Sequence, residues 1–83
     1  MPKKIIWNDR AKDELHAIDK PIAMRILYAL ARFCSTSEGD VKRLQGIEPS
    51  EFRLRVGDYR VRFHYSGEAL EVTAVKHRHE AYR

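Results

Sequence analysis

Four arginines flank the dipeptide Gly57-Asp58, spaced two apart on each side: Arg53 and Arg55 before it, Arg60 and Arg62 after it. A guanidinium keeps its charge and offers a planar fork of donors that matches phosphate oxygens. Downstream, Lys76-His77-Arg78-His79-Glu80-Ala81-Tyr82-Arg83 gathers cations, two imidazoles, an acid and a phenol. Histidine moves protons near neutral pH. Tyrosine stacks on a base or joins a proton transfer. These residue types suit a phosphate-bearing ligand. Each also has a plainer role: Glu80 can neutralise an arginine, Tyr82 can close the edge of a core, and the histidines can simply be solvated.

Other chemistries find less support. His77 and His79 with His64 could be drawn as a metal site, but no carboxylate or thiol falls at a recognisable ligand spacing. No metal or other cofactor is therefore expected. The single cysteine, Cys34, reads as a small apolar residue at a helix end, and no Cys/His nucleophile pair is visible. There is no phosphate-binding glycine loop and no Walker-type lysine.

The elements that must carry these residues follow from periodicity. Lys3 to Trp7 reads as a first strand. Asn8 or Asp9 can cap a helix whose Ala11, Leu15 and Ile18 recur at helical spacing. Pro21 suits the first turn of a second helix. Ile22, Ile26, Ala29, Leu30 and Phe33 mark its inner face, and Met24 and Leu27 would widen that face until the helix is largely buried. Asp40 to Pro49 reads as a connector anchored by Val41 and Leu44. The second half then alternates with period two. Phe52, Leu54 and Val56 share one face, as do Tyr59, Val61, Phe63 and Tyr65. A third run spans Ala69 to Val75. The whole predicts an α+β fold: a twisted antiparallel sheet with an N-terminal αα-hairpin packed on one face.

A two-residue Gly57-Asp58 turn sets Val56 opposite Tyr59, Leu54 opposite Val61 and Phe52 opposite Phe63. The same register puts Arg55 opposite Arg60 and Arg53 opposite Arg62. Facing like charges cost roughly 0.2–1 kcal/mol per pair, so four guanidiniums on one face suggest an anion that neutralises them. Arg60→Ala is then expected to leave the melting temperature unchanged or raised, by relieving repulsion with Arg55. A two-residue Ser66-Gly67 loop would bring Glu71 opposite Arg62, making that arginine the most structural of the four.

Composition bounds the rest. Eighty-three residues, 43% hydrophobic and 34% charged, with 4 Gly and 3 Pro, describe one globular domain over 1–83. No run approaches the length of a membrane span, and no secretory signal is visible. With one cysteine, this reads as a cytoplasmic protein without a membrane partner. The net charge is +4. Residues 52–83 carry 7 basic against 4 acidic side chains, which favours an anionic partner such as nucleic acid.

The order of these segments resembles the RelE/ParE superfamily of type II toxin–antitoxin toxins along nearly the whole chain. The similarity is carried by Asp40-Val41-Lys42-Arg43-Leu44-Gln45-Gly46, by Phe52-Arg53-Leu54-Arg55-Val56-Gly57-Asp58-Tyr59-Arg60-Val61 and by the Lys76–Arg83 tail. The resemblance implies a microbial RNase-like fold. It also implies a RelE-like, ribosome-dependent endoribonuclease that cuts mRNA without a metal, through 2′-hydroxyl attack and a 2′,3′-cyclic phosphate. Arg60, Arg78 and Tyr82 would then be catalytic, Arg53, Arg55 and Lys76 would bind RNA phosphate, and His77 or His79 would transfer a proton. Arginine replaces the lysines often found on the hairpin, and is a poorer proton acceptor. The implied partners are a cognate antitoxin, the ribosome and mRNA. Alternatives are a ParE-like inhibitor of DNA gyrase, or an inactive homologue that only binds its antitoxin.

Overall fold

A computed structural model describes residues 4–46 and 50–81. Lys3, at the start of the expected first strand, and Tyr82 lie outside them. The chain runs β1 (Lys4–Trp7), α1 (Asp9–His16), α2 (Lys20–Thr36), β2 (Asp40–Arg43), β3 (Phe52–Val56), β4 (Tyr59–Ser66), β5 (Ala69–His77) and α3 (Arg78–Ala81). The architecture is α+β: a five-stranded sheet in the order β1-β5-β4-β3-β2. Its meander is antiparallel, while β1 runs parallel to β5, so the sheet is mixed.

Local chemistry sets the helices. Asn8 caps α1, its Oδ1 accepting from the Ala11 N–H at 2.8 Å, which satisfies an otherwise orphaned donor. Pro21 sits in the first turn of α2. That helix ends at Ser37, whose φ of 63° is left-handed and whose N–H donates to Phe33 O at 2.8 Å. This is the usual geometry of a helix stop.

Burial follows the predicted faces on the sheet. Leu54, Val61, Phe63, Leu70, Val72 and Val75 pack with Ala11, Ile26 and Leu30 into one core. Phe63 lies 5.6 Å, ring to ring, from both Phe33 and Phe52. On α2 the reading was too generous. Only Ile26 and Leu30 are fully buried, while Met24 (53% exposed) and Tyr28 (78%) face outward. A helix on one face of a single sheet has one side to bury and no second layer to cover the other.

The connector holds a strand that periodicity missed. Asp40–Arg43 pairs antiparallel with β3, setting Val41 opposite Leu54 and Lys42 opposite Arg53. Val41 is its only inward apolar side chain, so alternation gave no signal. Among the described residues, no helix is long and apolar enough to cross a membrane.

Candidate functional site

The β3–β4 register is the one the apolar pairs required. Val56 faces Tyr59, Leu54 faces Val61 and Phe52 faces Phe63. Arg55 faces Arg60 and Arg53 faces Arg62, so the guanidiniums share the sheet face away from the helices. Gly57, at φ +57°, supplies the left-handed first position of the tight turn.

The second hairpin differs from its expected register. Its loop is Gly67-Glu68, with Ser66 opposite Ala69, and Thr73 is an extra residue: Phe63 pairs with Val72, but Arg62 pairs with Ala74. Glu71 therefore faces His64, not Arg62, and its Oε1 lies 3.0 Å from His64 Nε2. Arg62 is neutralised from elsewhere. Its Nη2 donates to Glu51 Oε2 at 3.3 Å, and the Thr73 hydroxyl donates to Glu51 Oε1 at 3.4 Å.

Beside this pair lies a groove of 440 Å³. Arg60, Arg62 and Lys76 line it with Arg10, Asn8, Thr73 and the carboxylates of Glu51 and Glu80. Lys76 stands opposite Arg60 on β5. Its ammonium is paired with Glu14, which also holds Arg10 at 3.6 Å and accepts the Val75 N–H at 2.8 Å. Burial pushes the Glu14 carboxyl up, but Lys76, the Val75 N–H and Arg10 together hold it below the ordinary range.

Arg60 is 5% exposed, and its Nη1 donates to Gly57 O and Tyr59 O, both at 3.2 Å. The expectation that Arg60→Ala is neutral or stabilising is therefore corrected. Truncation strips two carbonyls of a charged donor, a loss of about 1–3 kcal/mol, which outweighs the relief of facing Arg55. Among the described residues, the buried Nε groups of Arg53, Arg60 and Arg62 have no hydrogen-bond partner. Native folds seldom leave such donors unmet.

The remaining predicted residues are spread out. Arg55 is exposed and borders a second groove instead. Arg78 is exposed at the start of α3, with its backbone N–H donating to Asp58 O at 2.7 Å. His77 sits opposite Tyr59 on the helix side of the sheet, packed edge-on at 5.3 Å, and His79 stacks on it at 5.0 Å. The histidines are thus across the sheet from the guanidiniums, which corrects their expected place beside them. The cause is the pleat of β5: Lys76 pairs with Arg60 on the open face, so the next residue, His77, falls on the helix side opposite Tyr59, and His79 stacks on it from α3. Among the described residues, no three His, Cys, Asp or Glu side chains converge on a metal position. Sequence reasoning missed Glu14 and Glu51, whose partners are distant along the chain.

The second groove, of 620 Å³, runs between α2 and the β2–β3 end of the sheet. Met24, Tyr28, Ala29, Leu54 and Val56 line it among Arg25, Arg32 and Arg55, with Glu38 and Asp40 beside them.

A sheet with two N-terminal helices on one face and a cationic groove on the other is the fold of RelE-type toxins. A chain of the RelB–RelE antitoxin–toxin complex from Methanococcus jannaschii is similar at TM-score 0.76 and 21% identity, over 93% of this chain and 94% of that one. A chain of the archaeal RelE–RelB complex from Pyrococcus horikoshii OT3 matches at TM-score 0.73 and 22% identity, over 94% and 97%. A chain of the intact E. coli RelBE complex matches at 0.71 and 14%, over 88% and 93%. No curated protein sequence matches the chain. Residues 5–82 match the family described as the ParE toxin of the type II toxin–antitoxin system parDE. The chain belongs to this family, within the RelE/ParE superfamily, and is a toxin of a type II toxin–antitoxin system.

Proposed function

We propose that this toxin is a ribosome-dependent endoribonuclease that cuts mRNA by 2′-hydroxyl attack on the adjacent phosphate. The supporting observation is the buried Nε groups of Arg53, Arg60 and Arg62 on one sheet face, unpartnered among the described residues, beside a groove lined by Arg60, Arg62 and Lys76. A phosphodiester in the groove pairs with the guanidinium of Arg62 and the ammonium of Lys76, whose side chains stay partly exposed. Arg60 stabilises the charge that builds on the phosphorane, and Arg78 adds its charge from the exposed start of α3. Lys76 holds the phosphate and Arg53 follows the backbone along the same face, while Arg55, at the second groove, stands apart from the RNA path. Tyr82, beyond the described residues, stacks on a base. His77 and His79 take no proton in this reading, because they lie across the sheet.

The partner is a cognate antitoxin. An amphipathic segment with acidic side chains would match the exposed Met24 and Tyr28 and the guanidiniums of Arg25 and Arg55, Arg32 being already paired with Glu38. One observation favours a second reading, inhibition of DNA gyrase: the family match is to ParE toxins.

Primer extension on an mRNA, with and without ribosomes, separates the two. Cleavage is expected only with ribosomes, to persist in EDTA, and to leave a 2′,3′-cyclic phosphate. A 2′-deoxy nucleotide at the cut should abolish it. An intact mRNA together with arrested supercoiling in a parallel gyrase assay would overturn the ribonuclease reading in favour of the second.

A further inference from the structure

We propose that Glu51 is the general base of the site, the group that takes the proton from the ribose 2′-hydroxyl. The proposal rests on the ribonuclease reading above. Attack by that hydroxyl needs a proton acceptor within the groove. Arg60 and Arg62 cannot serve, because a guanidinium does not lose its proton in a protein. The Lys76 nitrogen is paired with Glu14. The histidines are engaged elsewhere: His77 packs on Tyr59 across the sheet, His79 stacks on His77, and His64 bonds Glu71.

Among the described residues, two carboxylates remain on the groove wall, Glu51 and Glu80. Glu80 is exposed on the four-residue α3, and its Oε1 accepts the His77 N–H at 3.4 Å. Glu51 is half-buried and held at both oxygens, by Arg62 at 3.3 Å and by the Thr73 hydroxyl at 3.4 Å. Thr73 is the bulged residue of β5, so the irregularity in the sheet brings its hydroxyl to this carboxylate. Each carboxylate oxygen has two acceptor sites, which leaves one on each for a substrate hydroxyl.

In the step proposed, Glu51 takes the proton as O2′ forms its bond to phosphorus. The P–O5′ bond breaks with its electron pair on O5′, which takes a proton from water. The hydroxide so formed recovers the proton from Glu51. The products are a 2′,3′-cyclic phosphate and a 5′-hydroxyl, with the carboxylate restored.

The test uses Glu51→Gln and Glu51→Ala in the ribosomal cleavage assay, each with and without sodium formate. Both variants should cleave about 10²–10⁴-fold more slowly, while RNA affinity stays near wild type, and Glu51→Gln, which keeps an acceptor for Arg62 and Thr73, also keeps a melting temperature near wild type. Formate should restore part of the rate to Glu51→Ala, where it fits the vacated space, and none to Glu51→Gln. Cleavage by Glu51→Gln at the wild-type rate overturns the proposal. So does a loss in Glu51→Ala that formate leaves untouched and that tracks a fall in RNA affinity, since Glu51 is then only the counter-ion of Arg62. A wild-type chain that never cleaves RNA defeats the ribonuclease reading itself, and the base with it.

Discussion

Glu14 joins parts of the chain that no local pattern connects. From α1 it accepts the Val75 N–H and pairs with Lys76, so one carboxylate fixes two successive residues of β5. The lowered folded-state value of its carboxyl sets the sign of its pH dependence. A depressed carboxylate contributes stability that is complete above its unfolded value and is lost as pH falls through the folded one. Wild type should therefore melt above Glu14→Gln at neutral pH. The gap should hold down to the ordinary value of 4.5 and close as acid takes the pH below it. Melting curves of both proteins across that range check this, and a gap that widens in acid would contradict it. Such a residue is illegible in sequence, because nothing in Asp13-Glu14-Leu15 points to a strand so far downstream. The arginines were legible for the opposite reason: they are local, and the register of their own hairpin places them.

Hairpins and caps could be read, while the bulge and the short edge strand β2 could not. The β3–β4 register followed from three apolar pairs across a two-residue turn, because a slip of one residue would have turned every apolar side chain outward. Leu54 is the test of that face. It is fully buried opposite Val61 and beneath the helices, so Leu54→Ala should cost about 2–5 kcal/mol. Urea unfolding should show this as a lower midpoint with an unchanged slope. The β4–β5 pair could not be set the same way, since an extra residue at Thr73 shifts the register part-way along the strand. No alternation in the sequence announces such a shift. Strand β2 escaped because a four-residue edge strand with exposed charges carries too little pattern. The tail carries no readable period, and it coils into α3 directly after His77.

The molecule has two working surfaces that lie apart. The cationic groove is on the open sheet face, and the apolar groove runs along α2. The outward Tyr28 is the natural anchor of the second, since buried aromatic contacts dominate most interfaces. Tyr28→Ala should weaken antitoxin binding by about 2 kcal/mol or more. Folding stability should stay within about 0.5 kcal/mol of wild type, as for most exposed positions. Calorimetric titration with the antitoxin, beside the cleavage assay, separates the surfaces. Lost binding with intact toxicity is expected, and lost toxicity with intact binding would reverse the assignment.

The parallel pairing of β1 with β5 also governs timing. Ile5 and Ile6 lie beside Leu70 and Glu71, so the first strand made must wait for the last strand before it has a neighbour. That last strand is also the one between β1 and β4. Loop closure over nearly the whole chain must precede the contacts that reward it, and such topologies fold slowly. On the ribosome, α1 and α2 emerge with their apolar faces uncovered, and the sheet that covers them cannot close until residues 69–75 have left the exit tunnel.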